Sequence, residues 1–134
     1  MCNRYSLKHS KQQVRDIFQA EGEFDDRPRY NIAPTQPVLI VRKEHGQKTR
    51  QFRTMRWGLI PSWAKDETIG IHTLNARSET VQTTPAFRES ILTRRCLIPA
   101  DAFYEWSHQE QRLRRPEYRG HPDFVYWRWA TPVQ

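Results

Sequence analysis

VLIV at residues 38–41, EHGQ at 44–47 and QFRTMRW at 51–57 decide how this chain folds. Val38 to Val41 is a short apolar run without helical period, which reads as a buried strand. Gly46 suits a hairpin turn over Glu44 to Gln47. The chain then returns through Gln51 to Trp57, where Phe52 and Trp57 alternate imperfectly with polar residues. On the N-terminal side, Ser10 and Gln13 have the form of a capping box. Val14, Ile17 and Phe18 then fall on one face of a short amphipathic helix, with Gly22 as its stop. Glu23 to Arg29 is charged and loop-like. YNIAPTQP at 30–37 holds two prolines that argue against a regular strand and for an extended turn. On the C-terminal side, Pro61 and Trp63 open a loop, Ile71 to Leu74 is expected as a strand, and Pro85 to Leu92 as a short helix. Cys96 to Ile98 and Phe103 to Trp106 read as strand, turn, strand around Pro99, Ala100 and Asp101. Short strands with two small helices, out of βαβ order, imply an α+β domain built on an antiparallel sheet or an open barrel. Neither a repeat nor a linker interrupts the pattern.

A chain of 134 residues amounts to one domain. Its core is expected to be thin, since only 37% of residues are hydrophobic and the mean hydropathy is -0.91. Five tryptophans, six phenylalanines and five tyrosines compensate with large apolar surfaces. A net charge of +7 favours polyanionic partners, and arginines interleaved with aromatics suit single-stranded nucleic acid. Cys2 and Cys96 do not make a disulfide framework, and no secretory leader is recognisable, so a reducing, cytoplasmic setting is expected. No apolar run nears the roughly 20 residues of a membrane span, so no membrane partner is expected. The five histidines show no paired ligand spacing, so neither a metal nor any other cofactor is expected, and the chain is taken as a monomer.

Cys2 follows the initiator methionine, and removal of Met1 would put a thiol and a free α-amine on one carbon. That pair traps aldehydes: the amine condenses to a Schiff base and the thiol closes on it to give a thiazolidine. With reference pKa values of about 7.7–8.0 for the amine and about 8.5 for the thiol, neither group needs much tuning at neutral pH. Cys96 lies in an apolar stretch and reads as a small buried hydrophobe.

Four segments together resemble one family. MCNRY at 1–5, YNIAPTQ at 30–36, RWGLIPSW at 56–63 with NARSET at 75–80, and RRCLIPADAFYEW at 94–106 are similar to the SOS-response-associated peptidase (SRAP) domain. Members of that family process abasic sites in single-stranded DNA. The resemblance implies a covalent DNA-protein crosslink through the N-terminal cysteine, formed with the ring-opened sugar aldehyde. It assigns catalytic roles to Cys2, Asn75 and Glu105. Asn75 would orient the amine or sugar through a neutral amide, while on its own it reads as a turn residue. Glu105, between Tyr104 and Trp106, would carry protons, its pKa raised by desolvation; on its own it reads as an outward-facing strand residue. Arg4 and Arg77 match positions that clamp phosphates, for which a planar, always-charged fork is suited. Trp63 and Pro34 are candidates to line the DNA groove, or else belong to the core. With only Met1 ahead of Cys2, an ordinary methionine aminopeptidase would suffice and autoproteolysis would be unnecessary.

The resemblance ends near residue 110. Family members continue with more strands and an active-site histidine in an H-x-R-M-P motif, which neither His108 nor His121, in GHPDF, matches. Residues 1–110 are therefore expected to form a partial SRAP domain. Residues 111–134 are expected to form an aberrant basic tail without helical or strand period, although Tyr126, Trp127 and Trp129 are unusual for a disordered segment. A frameshift would produce this break and predicts that the alternative frame encodes the missing strands. Loss of those strands would expose sheet edges and apolar faces. Two other readings stay open: a noncovalent single-stranded DNA-binding remnant, and a truncated product without function. An N-terminal-nucleophile amidohydrolase, acting on amides with the same cysteine, is a remoter one.

Overall fold

Val38, Leu39, Ile40 and Val41 are all buried because the strand that carries them is covered on both faces. The computed structural model describes residues 3–104 and the strands Val125–Arg128 and Ala130–Pro132. β4 (Pro37–Arg42) pairs antiparallel with β5 (Arg50–Trp57), from Pro37 opposite Arg56 to Arg42 opposite Gln51. Side chains alternate along a strand. Val38 and Ile40 accordingly join Tyr5, Ile32, Met55, Trp57, Cys96 and Ile98, whereas Leu39 and Val41 join Val14, Phe18, Ala20 and Phe52. The same rule resolves the irregular alternation of β5, which sends Phe52 to one core and Met55 and Trp57 to the other.

The second core is closed by α1 (Lys11–Phe18), whose capping box is formed in both directions between Ser10 and Gln13. Val14 and Phe18 are buried, but Ile17 is 39% exposed. The helix stops before Gly22: Gln19 takes the left-handed conformation at φ 47° and donates its N–H to the Arg15 carbonyl. The short strand β2 (Ala20–Glu21) then pairs parallel with the start of β5. In the loop that follows, the Arg27 guanidinium lowers the Asp25 carboxyl to about 2.

A second sheet has the order β3-β1-β7, from Arg29–Ile32, Arg4–Leu7 and Ala102–Tyr104. β3 corrects the expected extended turn over 30–37. Both prolines lie beyond Ile32, so Arg29–Ile32 is free to pair with β1 and the turn is confined to 33–36. The larger sheet is extended by β6 (Cys96–Pro99), antiparallel to β4. The turn after β6 crosses to the smaller sheet and is pinned there. Asp101 N–H donates to the Ser6 carbonyl at 2.8 Å, and its buried carboxylate accepts the Lys8 N–H and meets His9 Nδ1.

Two further expectations are corrected. Ile71 to Leu74 is not a strand: a 3-10 helix spans Glu67–Ile71, with Asp66 capping it through Thr68 N–H, and turns follow. Pro85 to Leu92 is not a continuous helix. Turns lead into a single-turn α2 (Ser90–Thr93), and Phe87 packs with Leu59 in a small third cluster. Strand also occurs where no period was readable in the tail. β8 (Val125–Arg128) pairs antiparallel with β6, and β9 (Ala130–Pro132) with β5. The larger sheet thus runs β2-β5-β4-β6-β8, with β9 on β5. The fold is α+β, its mostly antiparallel sheets curled as a half barrel with few short helices.

Candidate functional site

The chain leaves Cys2 and enters β1 through Asn3 and Arg4, on the middle strand of the smaller sheet. Arg4 is the register partner of Tyr104, the last residue of β7 and the one before Glu105. Cys2 and Glu105 themselves lie outside the described residues. The two chain segments that carry them are nevertheless joined by sheet pairing as far as Arg4 and Tyr104.

Asn75 reaches this strand end from a different part of the chain. Its Nδ2 donates to Asn3 Oδ1 at 3.4 Å, across 72 residues of sequence. Two devices hold its loop there. Gly58 has φ +130°, and a Cβ at that position would lie 2.6 Å from the Gly70 carbonyl oxygen, so only glycine lets the β5 exit strand approach the 3-10 helix. Thr73, two residues before Asn75, is buried and donates its hydroxyl to the Leu59 carbonyl and, at 3.1 Å, to the Ile69 carbonyl. Asn75 is half-buried, which leaves its amide open to a ligand while its backbone is braced.

Arg4 is exposed, and its Nη1 donates to Asn31 Oδ1 at 3.1 Å. Asn31 was not singled out from the sequence beyond its place in the YNIAPTQ motif, and its role as a partner of Arg4 needed the β1–β3 pairing. On the same strand, the Tyr30 carbonyl accepts the Tyr104 hydroxyl at 2.8 Å, which ties β3 to β7 across β1. Pro34 is half-buried in the turn 33–36. That turn is clamped onto the end of β5: Thr35 N–H donates to the Trp57 carbonyl at 2.9 Å, and Trp57 N–H to the Gln36 carbonyl at 3.0 Å. Arg29 completes the clamp through the Pro37 carbonyl and Gln36 Oε1.

Trp63 and Arg77 are exposed outside the strands, Trp63 at 57%, and neither hydrogen-bonds to Asn75. The fold therefore brings Asn75, Asn3, Arg4 and Asn31 to one end of β1. Among the described residues no group of three His, Cys, Asp or Glu side chains could hold a metal ion. No helix among them is long and apolar enough to cross a membrane. Cys96 is buried in β6.

The sequence profile of the SOS response associated peptidase (SRAP) family matches residues 1–125. The abasic site processing protein YoaM of Bacillus subtilis is 41% identical over 119 residues, covering 87% of this chain and 52% of that protein. The abasic site processing protein HMCES of Gallus gallus is 35% identical over 117 residues, covering 76% of this chain and 34% of that protein. A crystal structure of a Bordetella bronchiseptica protein superposes with a TM-score of 0.60 at 31% identity, over 78% of this chain and 50% of that one. One from Bacteroides thetaiotaomicron reaches a TM-score of 0.72 at 23% identity, over 94% of this chain and 57% of that one, and bears on the fold alone. The chain spans about half the length of the bacterial relative. From the profile match, the relatives and the shared fold, the chain belongs to the SRAP family.

Proposed function

We propose that this chain processes abasic sites in single-stranded DNA by a covalent thiazolidine crosslink through Cys2. The observation that carries the reading is the hydrogen bond from Asn75 Nδ2 to Asn3 Oδ1, which brings a neutral amide to the residue after the nucleophile. A lone N-terminal cysteine reacts with aldehydes unaided; a built site beside it is what a catalyst adds.

The reaction balances as follows. With Met1 removed, the Cys2 amine attacks the C1′ aldehyde of the ring-opened abasic sugar, giving a carbinolamine. Loss of water leaves a Schiff base, and the thiolate adds to the imine carbon while the nitrogen takes a proton. The product is a thiazolidine, with one water released overall. In this reading the Asn75 amide holds the amine or the sugar hydroxyls in place, adding no charge that would shift the amine's pKa. Glu105 delivers the proton to the departing hydroxyl. Arg4 and Arg77 bind the flanking phosphates, Arg4 being oriented for this by Asn31. Trp63 and Pro34 line the groove, and the exposed indole of Trp63 offers a base-stacking face. The chemistry is assigned to residues 1–110 and none of it to 111–134. The protein is read as a cytoplasmic monomer.

The test is intact mass and denaturing-gel mobility after mixing the folded, Met1-free chain with single-stranded DNA carrying one abasic site. The expected product is a heat-stable adduct whose mass is that of protein plus DNA less one water, absent with Cys2→Ala. No adduct, or an adduct that persists in Cys2→Ala, overturns the reading.

A further inference from the structure

The far end of the β4–β5 hairpin carries a second feature that the chemistry above does not use. An open cavity of about 410 Å³ is lined there by Val41, Arg42, Lys43, Arg50, Leu92, Thr93, Arg95, Cys96 and Leu97. Four of these side chains are cationic and none is a carboxylate. Two acidic residues close in sequence are committed elsewhere, Glu44 to Arg53 at 3.3 Å and Glu89 to Arg94 at 3.5 Å. Arg42 and Lys43 make no ion pair with any described residue. Arg50 is fixed by donating to the Phe18 carbonyl at 3.0 Å. Like-charged side chains gathered around one concavity repel one another, and Arg42 and Lys43 leave two of these charges open to an anion.

The apolar part of the lining narrows the class of anion. Leu92 is 74% exposed at the rim, and Leu97 is half-buried beside it. Cations around an apolar wall suit a polymer with alternating phosphates and flat apolar faces better than a small inorganic ion. The cavity also lies along a path from the site. Arg42 is five residues along β4 from Pro37, at about 3.3–3.4 Å per residue, so roughly 17 Å separate it from the turn clamped to Trp57. A nucleic acid strand spans that distance in a few nucleotides.

We infer that this basic cavity, centred on Arg42 and Lys43, is a second binding site for the phosphate backbone of single-stranded nucleic acid, a few nucleotides away from the turn at 33–36. The inference rests on the reading of the Cys2 end as the DNA-reactive site. It adds that the strand is gripped at both ends of the hairpin.

The test uses the full chain with Arg42→Gln and Lys43→Gln combined, and Arg27→Gln as a control outside the cavity. Binding of undamaged single-stranded DNA is measured by fluorescence anisotropy as salt is varied. Adduct formation is followed separately, with abasic oligonucleotides of about five and about twenty nucleotides, the first near the lower end of single-strand site sizes and the second beyond their upper end. The double variant is expected to weaken binding of the longer strand roughly tenfold at low salt and to flatten its log–log salt slope by about 1.4, for two lost phosphate contacts. Adduct formation with the shorter strand should be unchanged, and the control should behave as the parent. Unchanged affinity for the longer strand, in a variant that still unfolds cooperatively, overturns the inference. So does a cavity-dependent affinity for anionic phospholipid vesicles in place of DNA, or equal losses on both lengths. Absence of a Cys2-dependent adduct with cavity-dependent DNA binding retained would overturn the functional reading and leave the cavity standing.

Discussion

Asn75 shows what a single residue contributes here. In sequence it is a polar residue within NARSET, indistinguishable by composition from a turn asparagine. In the fold its amide is aimed at Asn3 from a half-buried position, and the hydroxyl of Thr73 holds the loop from behind. An orienting hydrogen bond at a reacting centre contributes about 1–2 kcal/mol, so Asn75→Ala is expected to slow adduct formation roughly tenfold or more. Noncovalent affinity for undamaged strand should change little, because the phosphate contacts are assigned to arginines. Single-turnover rates set beside binding isotherms separate the two effects. Equal losses in both would move Asn75 from positioning to plain binding. Arg4 differs in that its match to the family motif MCNRY already implied a phosphate ligand. What the sequence did not contain is Asn31 as its partner, because that contact depends on the β1–β3 register.

At the scale of elements, local signals were readable where they are self-contained. Ser10 and Gln13 satisfy each other's backbone N–H within four residues, and the helix they start is where the pattern put it. Its end was misread because Gln19 takes the left-handed conformation that glycine usually supplies, one turn before Gly22. Ile71 to Leu74 was misread for a related reason. A short apolar run does not distinguish strand from helix, and here Asp66 caps a 3-10 turn that the nearby β5 exit strand then packs against. That packing gives a prediction at this scale. In Gly58→Ala the new methyl must adopt φ +130° and sit 2.6 Å from the Gly70 carbonyl oxygen, so the β5 exit and the 3-10 helix have to part. A loss of about 1–3 kcal/mol in unfolding free energy is expected from strain of this kind. Because the same approach braces Asn75, adduct formation should fall along with stability. Chemical denaturation and adduct kinetics on the same preparation check both, and an unperturbed denaturation midpoint would show that the close approach is not needed.

For the whole molecule, β4 is the shared wall of two cores. Leu39 and Val41 face α1, and Val38 and Ile40 face Tyr5 and Trp57. Tyr5 and Trp57 pack edge to face at 5.3 Å, linking the smaller sheet to this wall. Damage to either core should therefore unfold both. Ile40 is fully buried, and Ile40→Ala is expected to cost about 2–5 kcal/mol. Leu39→Ala, on the opposite face, should cost a comparable amount. In both variants tryptophan fluorescence and far-UV circular dichroism should report one coincident transition. A helix signal lost well before the tryptophan signal would mean that the two cores are separate cooperative units.

The amino-acid sequence by itself determined the hairpin, the capped helix, the α+β class and the family, because these depend on local periodicity, turn chemistry and long motifs read in order. It also supplied the candidate site residues, Cys2 through the chemistry of an N-terminal cysteine and Asn75, Arg4 and Arg77 through the family motifs that carry them. The tertiary structure alone decided that Asn75 meets Asn3, that Asn31 holds Arg4, and that Asp101 ties the β6–β7 turn to His9 and the Lys8 N–H. It alone decided too that YNI is strand while Pro34 after it sits in a turn. Each of these contacts joins residues 27 to 93 positions apart. Their existence is set by sheet register and close backbone approach, which no short window of sequence encodes.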